Sequence, residues 1–138
     1  MQITIPKDLG GDLKVMPPGP CTAAIEGLSM GKSGTGNPKV TIRWCLTTEL
    51  YPKGAKETSL GERVLETFSL QEQAMWNLNG LYKAATGENL PQGDYDEAEL
   101  QEILEDGLKG KEFNLVLGVG MTNEGEERME VQTRKLVK

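Results

Sequence analysis

The stretch Gly27–Lys39, GLSMGKSGTGNPK, carries Gly31-Lys32-Ser33, the closing triplet of a phosphate-binding loop. The full motif is G-x-x-x-x-G-K-[ST] set between a strand and a helix. Here its first glycine would fall at position 26, which is Glu26, and Gly27 is one residue too close. The residues that follow contain Pro38 and then a β-branched alternation, not a helix. Without a helix N-terminus no row of amides faces a β-phosphate. The stretch is therefore read as a Gly/Ser loop joining two strands, with Lys32 and Lys39 able to meet phosphates by another route. A second candidate, the acidic run from Asp94, puts Asp94, Asp96 and Glu105 at calcium-loop positions 1, 3 and 12. Position 5 is Ala98 and the glycine required at 6 is Glu99, so the sharp turn is missing. The chain has two cysteines, Cys21 and Cys45, and no histidine. That removes the usual zinc sets, Ser-His-Asp and Cys-His catalysis and the HExxH site. No cofactor, no metal and no catalytic set is expected, and the protein is read as a non-enzyme.

What is left is cationic. Lys39 and Arg43 lie four residues apart on one side of an alternating segment, with Thr41 between them. On a strand that spacing is about 13 Å, the span of about two phosphates. An ordinary polar strand face would look the same. Further on, "TTELYPKGAKETSLGE" groups Tyr51 with Lys53 and Lys56, an aromatic beside two lysines in a connection. That combination suits a single-strand binder, in which bases stack on rings and cations follow the backbone. Trp44 has the phase of Val40, Ile42 and Leu46 and is expected in the core. Trp76 falls one residue off a helical stripe and is either core rim or exposed.

The elements that must hold these residues follow from period. Residues 1–19 read as an arm: Ile3 and Ile5 alternate briefly, then Gly10-Gly11 and Pro17-Pro18-Gly19-Pro20 break regular structure. From residue 20 to 138 one domain is expected, with no internal repeat. Cys21, Ala23 and Ile25 share an inward face, with Thr22, Ala24 and Glu26 outward. Pro38–Thr48 is a second half-buried strand with Cys45 on its outward side, and Arg63–Leu70 a third. The phases separate the two cysteines, so both are read as reduced. Ser69 and Glu72 have capping-box spacing ahead of the stripe Met75, Leu78, Tyr82 and Ala85, and Gly87 is the expected stop. Asp94 and Glu97 repeat that spacing ahead of Leu100, Ile103, Leu104 and Leu108, with Gly107 expected to end the helix. Phe113, Leu115, Leu117 and Val119 alternate on a fourth strand, and Met129, Val131 and Thr133 on a fifth. "TNEGEE" between them reads as a hairpin turn. The fold class is mainly β with a helical insert, in the order β-β-β-α-α-β-β. That is the element order of an OB-fold, a five-stranded Greek-key barrel. An open β-sandwich with helices at one end reads much the same way.

Charge is segregated along the chain. Of the 21 acids behind the net charge of −6, seven fall between Asp94 and Asp106 with no base among them, leaving 14 acids against 15 bases elsewhere. The acidic run is the solvated face of an amphipathic helix, its early acids favourable to the helix dipole. The rest of the body can carry a basic face. No apolar run approaches the ~20 residues of a membrane helix, and no signal segment is evident, so a cytoplasmic protein without membrane contact is expected.

Taken together, "PGPCTAAIEG", "SGTGNPKVTIRWCLTTE", "GERVLETFSL", "WNLNGLYKAATG" and "LKGKEFNLVLGVG" resemble a family of small bacteriophage single-stranded-DNA-binding proteins of OB-fold type, long catalogued as a domain of unknown function. The resemblance covers about residues 18–135, and its motifs are mostly structural. It implies a protein that coats single-stranded DNA during replication or recombination, in the host bacterial cytoplasm, with replication or recombination proteins as further partners. Lys32, Lys39, Arg43, Lys53 and Lys56 are the expected phosphate contacts and Tyr51 the expected stacking residue. Replicative single-strand binders end in an acidic tail that recruits partners, whereas this sequence closes on "VQTRKLVK". The acidic helix 94–106 is the candidate substitute, with Glu97 and Glu102 as partner-binding residues. The alternative function is a protein-interaction module, a virion component or host-factor inhibitor, acting through that helix. DNA versus RNA preference and oligomeric state stay open.

Overall fold

The structure, a computed structural model, describes residues 14–122 and 125–137. The expected strand at Ile3 and Ile5 lies outside them. Five strands form one antiparallel sheet: β1 (Gly19–Lys32), β2 (Pro38–Leu46), β3 (Arg63–Ser69), β4 (Glu112–Met121) and β5 (Glu127–Leu136). Their order across the sheet is β3-β2-β1-β4-β5. Two helices, α1 (Met75–Thr86) and α2 (Glu97–Leu108), are inserted between β3 and β4. The fold is thus mainly β with the expected element order. None of the described helices is long and apolar enough to cross a membrane.

The period-2 faces fall where alternation puts them. Val40, Ile42, Trp44 and Leu46 are buried on β2, and they face Val64 and Phe68 of β3 and Ile25 and Leu28 of β1 across the ladders. Trp44 meets Phe113 edge-on, with centroids 5.4 Å apart. Leu78, Leu81 and Ala85 of α1 and Leu104 and Leu108 of α2 complete the core. Met16, ahead of β1, is buried with them. Cys21 is buried and Cys45 half-exposed, both as free thiols. Burial pushes the Cys21 thiol up to about 11.

Two β-bulges revise the expected phases. The β1–β2 register shifts between Ile25 and Gly27, leaving Glu26 as the extra residue. A bulge sets two neighbouring side chains on one side of the strand, and β1 then runs on to Lys32. Gly27–Gly31, expected in a loop, is therefore strand, and the connection shrinks to residues 33–37. A second shift lies between Val116 and Leu117 of β4, which pair with Thr133 and Val131, so Gln132 is the extra residue. Thr133 consequently leaves the face of Met129 and Val131, and Arg134 takes the core side opposite Leu115.

The helix ends differ from expectation for local reasons. Ser69 forms no cap; its Oγ accepts from the Gln71 amide, and a 3-10 turn at Glu72–Ala74 leads into α1. Gly87 does stop α1, in the left-handed region at φ 82°. The capping box of α2 forms two residues later than expected, with Asp96 accepting from the Glu99 amide at 2.8 Å. Tyr95 folds back on the residues ahead of this cap. Its hydroxyl donates to the Pro91 and Gln92 carbonyls, which holds residues 91–95 in a turn. Gly107 lies within α2. A Cβ there would come within 2.5 Å of the Tyr82 ring, so this glycine permits close approach of the helices.

The outer strands β3 and β5 are bridged by side chains. Arg134 donates from Nε and Nη2 to the Glu66 carboxylate at 2.6–2.9 Å. Trp44 Nε1 donates to the same carboxylate at 3.2 Å. The Arg134 guanidinium also lies 5.2 Å over the Phe68 ring. Both charged groups are on the core side of the sheet: Glu66 shares the phase of Val64 and Phe68, and Arg134 reaches that side only through the Gln132 bulge.

Candidate nucleic-acid interface

The outward face of β1, β2 and β3 forms three in-register rows. Gly27, Arg43 and Leu65 make one, Ser29, Thr41 and Thr67 the next, and Gly31, Lys39 and Ser69 the third. The two long cations of β2 thus stand opposite two glycines of β1. Arg43 lies across β1: a Cβ on Gly27 would sit 3.0 Å from its Nη2. A Cβ on Gly31 would touch the Lys39 stem at 3.8 Å. The middle row is polar, with Thr41 and Thr67 hydroxyls hydrogen-bonded at 3.1 Å. The β1 side of this face carries only small residues, Gly27, Ser29 and Gly31, and its β3 side carries Leu65, which is 42% exposed.

Lys32 closes β1 beside the hairpin turn. Ser33 and Asn37 bracket that turn, the Ser33 amide donating to the Asn37 carbonyl at 2.7 Å and Gly36 taking φ 84°. No helix follows, so Gly31-Lys32-Ser33 is a strand end and not a phosphate loop. At the opposite end of the face, Glu26 carries a charge cluster. Its carboxylate accepts from Arg63 Nε at 3.0 Å and sits 3.5 Å from Arg43 Nε. The Arg63 hydrogen bond, aided by the charges of Arg63 and Arg43, holds the Glu26 carboxyl below the usual carboxylate range. Arg43 is therefore half engaged, and Arg63 is a cation of this face that the sequence reading passed over. The alternation Arg63-Leu65-Thr67-Ser69 against Val64 and Phe68 was the available signal. The bulge that brings Glu26 to the arginines had none.

Tyr51, Lys53 and Lys56 lie on the β2–β3 connection, at the Cys45–Arg63 end of the face. A single carboxylate organises that connection. Glu49 accepts from the Tyr51 amide (3.0 Å), the Ser59 amide (2.7 Å) and the Thr58 and Ser59 hydroxyls (2.6 and 2.8 Å). These donors, Thr58 foremost, pull its pKa to about 2. Lys53 and Lys56 are exposed. Tyr51 is half-buried against the core, and Lys14 Nζ covers its ring at 5.0 Å from the centroid. A base could stack on Tyr51 only after Lys14 moves. Trp76 is 71% exposed on α1. Glu97 and Glu102 are both exposed on α2; Glu97 lines a cleft against α1, and Glu102 does not.

Compared with protein-family models and with curated protein sequences, the chain matches none.

Proposed function

We propose that this protein is a non-enzymatic single-stranded DNA-binding protein that uses the outward β1–β3 face. The carrying observation is the register that sets Lys39 and Arg43 opposite Gly31 and Gly27. A phosphate backbone needs cations it can approach closely, and the glycines opposite let these long side chains lie over β1 with no side chain of its own in the way. The sheet order β3-β2-β1-β4-β5 supports reading the sheet as an OB-type barrel opened between β3 and β5. The faces of strands 2 and 3 are the usual oligonucleotide groove of that fold. Lys32, Lys39 and Arg43 would neutralise successive phosphates, with Lys53 and Lys56 extending the track. Leu65 offers an apolar contact for a base, and Tyr51 a ring once Lys14 is displaced. The resemblance to phage single-strand binders adds the setting: coating strands during replication or recombination.

The test is fluorescence anisotropy of a labelled dT20 strand at about 50 and about 200 mM salt, beside a duplex control. Five phosphate contacts give a slope of roughly −3.5 in log K against log salt, at about −0.7 per contact. Affinity should then fall roughly 100-fold between the two conditions. Lys39→Glu with Arg43→Glu removes two contacts and should flatten the slope to roughly −2. Salt-independent binding, or an unchanged slope in the double variant, sinks the proposal.

A further inference from the structure

A cleft of about 700 Å³ lies between α1, the connection that follows it, and α2. That is within the ~300–1,000 Å³ typical of binding sites. Its apolar lining comes from Met30, Leu70, Met75, Leu90, Leu100 and Ile103. Trp76 stands at its edge with 71% of its surface exposed. Asp94, Asp96 and Glu97 line it too, and none of the described lining residues is Lys or Arg. The cleft is held open by polar tethers. Asn79 accepts from the Leu90 amide at 2.8 Å and donates to Asn89 at 3.1 Å, and the Tyr95 hydroxyl ties residues 91–95 into a turn.

We infer that this cleft docks a cationic amphipathic segment of a partner protein. An apolar groove with a solvent-exposed tryptophan is the receptor half of helix-in-groove recognition, and aromatic residues of this kind are enriched at interfaces. The carboxylates decide the occupant. They repel a phosphate backbone, which excludes a nucleic-acid strand. A second copy of this chain brings a net charge of −6 of its own and is disfavoured by the same sign. A segment with lysines or arginines flanking an apolar face satisfies both halves: its apolar side chains enter the cleft against Trp76, and its cations reach Asp94 and Glu97. Asp96 is engaged at the α2 cap and contributes field more than contact. The inference stands apart from the DNA-binding proposal, because the cleft carries charge of opposite sign to the β1–β3 face.

The test titrates the full chain with a 14-residue peptide of Leu and Lys arranged as an amphipathic helix. Two readouts are used, Trp emission and anisotropy of the labelled peptide. Trp44 is buried, so a blue shift reports Trp76. The expected result is a saturable blue shift, absent in Trp76→Ala, with peptide affinity weakened roughly 5- to 10-fold in Asp94→Asn/Glu97→Gln, as two rim ion pairs allow. Glu105→Gln/Asp106→Asn, on the same helix outside the cleft, should leave affinity unchanged within about twofold. Several results would overturn the inference: no shift, equal weakening by the control pair, equal binding of a peptide with Glu in place of Lys, or a Trp76 shift produced instead by dT20 or by self-association.

Discussion

The Glu66–Arg134 bridge makes a quantitative demand on stability. It joins β3 to β5 by two N–H donors, the Nε–H shared between both carboxylate oxygens and Nη2 donating to one of them, with the side chains only 12% and 28% exposed. Arg134→Met removes the charge while keeping much of the packing over Phe68. Glu66 is then left on the core side with the Trp44 N–H as its remaining partner. Removing one member of a fully buried pair costs about 3–5 kcal/mol; with Arg134 part-exposed, about 2–4 kcal/mol is expected here. At this chain length that lowers Tm by roughly 4 °C per kcal/mol, or about 8–16 °C. The double variant Arg134→Met/Glu66→Leu removes the stranded charge and should recover at least about 1 kcal/mol relative to the sum of the singles. Urea unfolding followed by Trp emission measures all four corners of the cycle. A cost below about 0.5 kcal/mol for Arg134→Met, or strict additivity in the double variant, would refute the idea that this bridge between β3 and β5 stabilises the fold.

Three further outcomes follow from named contacts. Glu26→Gln releases Arg43 and Arg63 from a shared carboxylate, so dT20 affinity should rise and its salt slope steepen by roughly 1; an unchanged slope would show that neither arginine reaches the strand. The Glu49 carboxyl titrates near 2 in the folded chain against an ordinary 4.5. Its contribution to the β2–β3 connection is thus complete above pH 4.5 and fades as pH falls toward 2. The protection factors of the Tyr51 and Ser59 amides, exchange rates corrected for the intrinsic pH dependence, should fall over that window and be lower in Glu49→Gln than in the parent above pH 4.5; equal protection in the variant at pH 6 would contradict this. Gly107→Ala gains about 1 kcal/mol of helix propensity but drives a methyl into Tyr82, with overpacking costs of about 1–3 kcal/mol. Thermal denaturation should show net destabilisation of up to about 2 kcal/mol, reversed in a Tyr82→Ala background.

Much of the fold was legible because its signals are local. Two-residue alternation in Val40, Ile42, Trp44 and Leu46 named a buried face, and all four are buried. The 3-4-3 spacing of Met75, Leu78, Tyr82 and Ala85 and the Gly87 stop placed α1, although Leu81 proved to belong to its buried side. Missing glycine and helix signals ruled out a phosphate loop at Gly31-Lys32-Ser33, and the hairpin turn there has no helix. Each of these rests on what one segment can do with its own backbone.

The candidate sites were less legible, since they depend on which residues meet across strands and helices. Lys39 and Arg43 were visible as a cationic pair, but the glycines opposite them follow from register. Arg63 was hidden in plain alternation, and Glu26 reached the arginines through a bulge, which is one unpaired residue that no period announces. Gln132 likewise turned Arg134 toward the core and onto Glu66. The α2 cap expected at Asp94 forms instead at Asp96, after the turn that Tyr95 makes on Pro91. The sequence by itself determined the elements and their buried faces, because propensity and period act within a few residues of chain. Only the tertiary structure decided which charges pair and where a cleft opens, because register, bulges and helix approach are set by the partner surface and not by the segment that carries the charge.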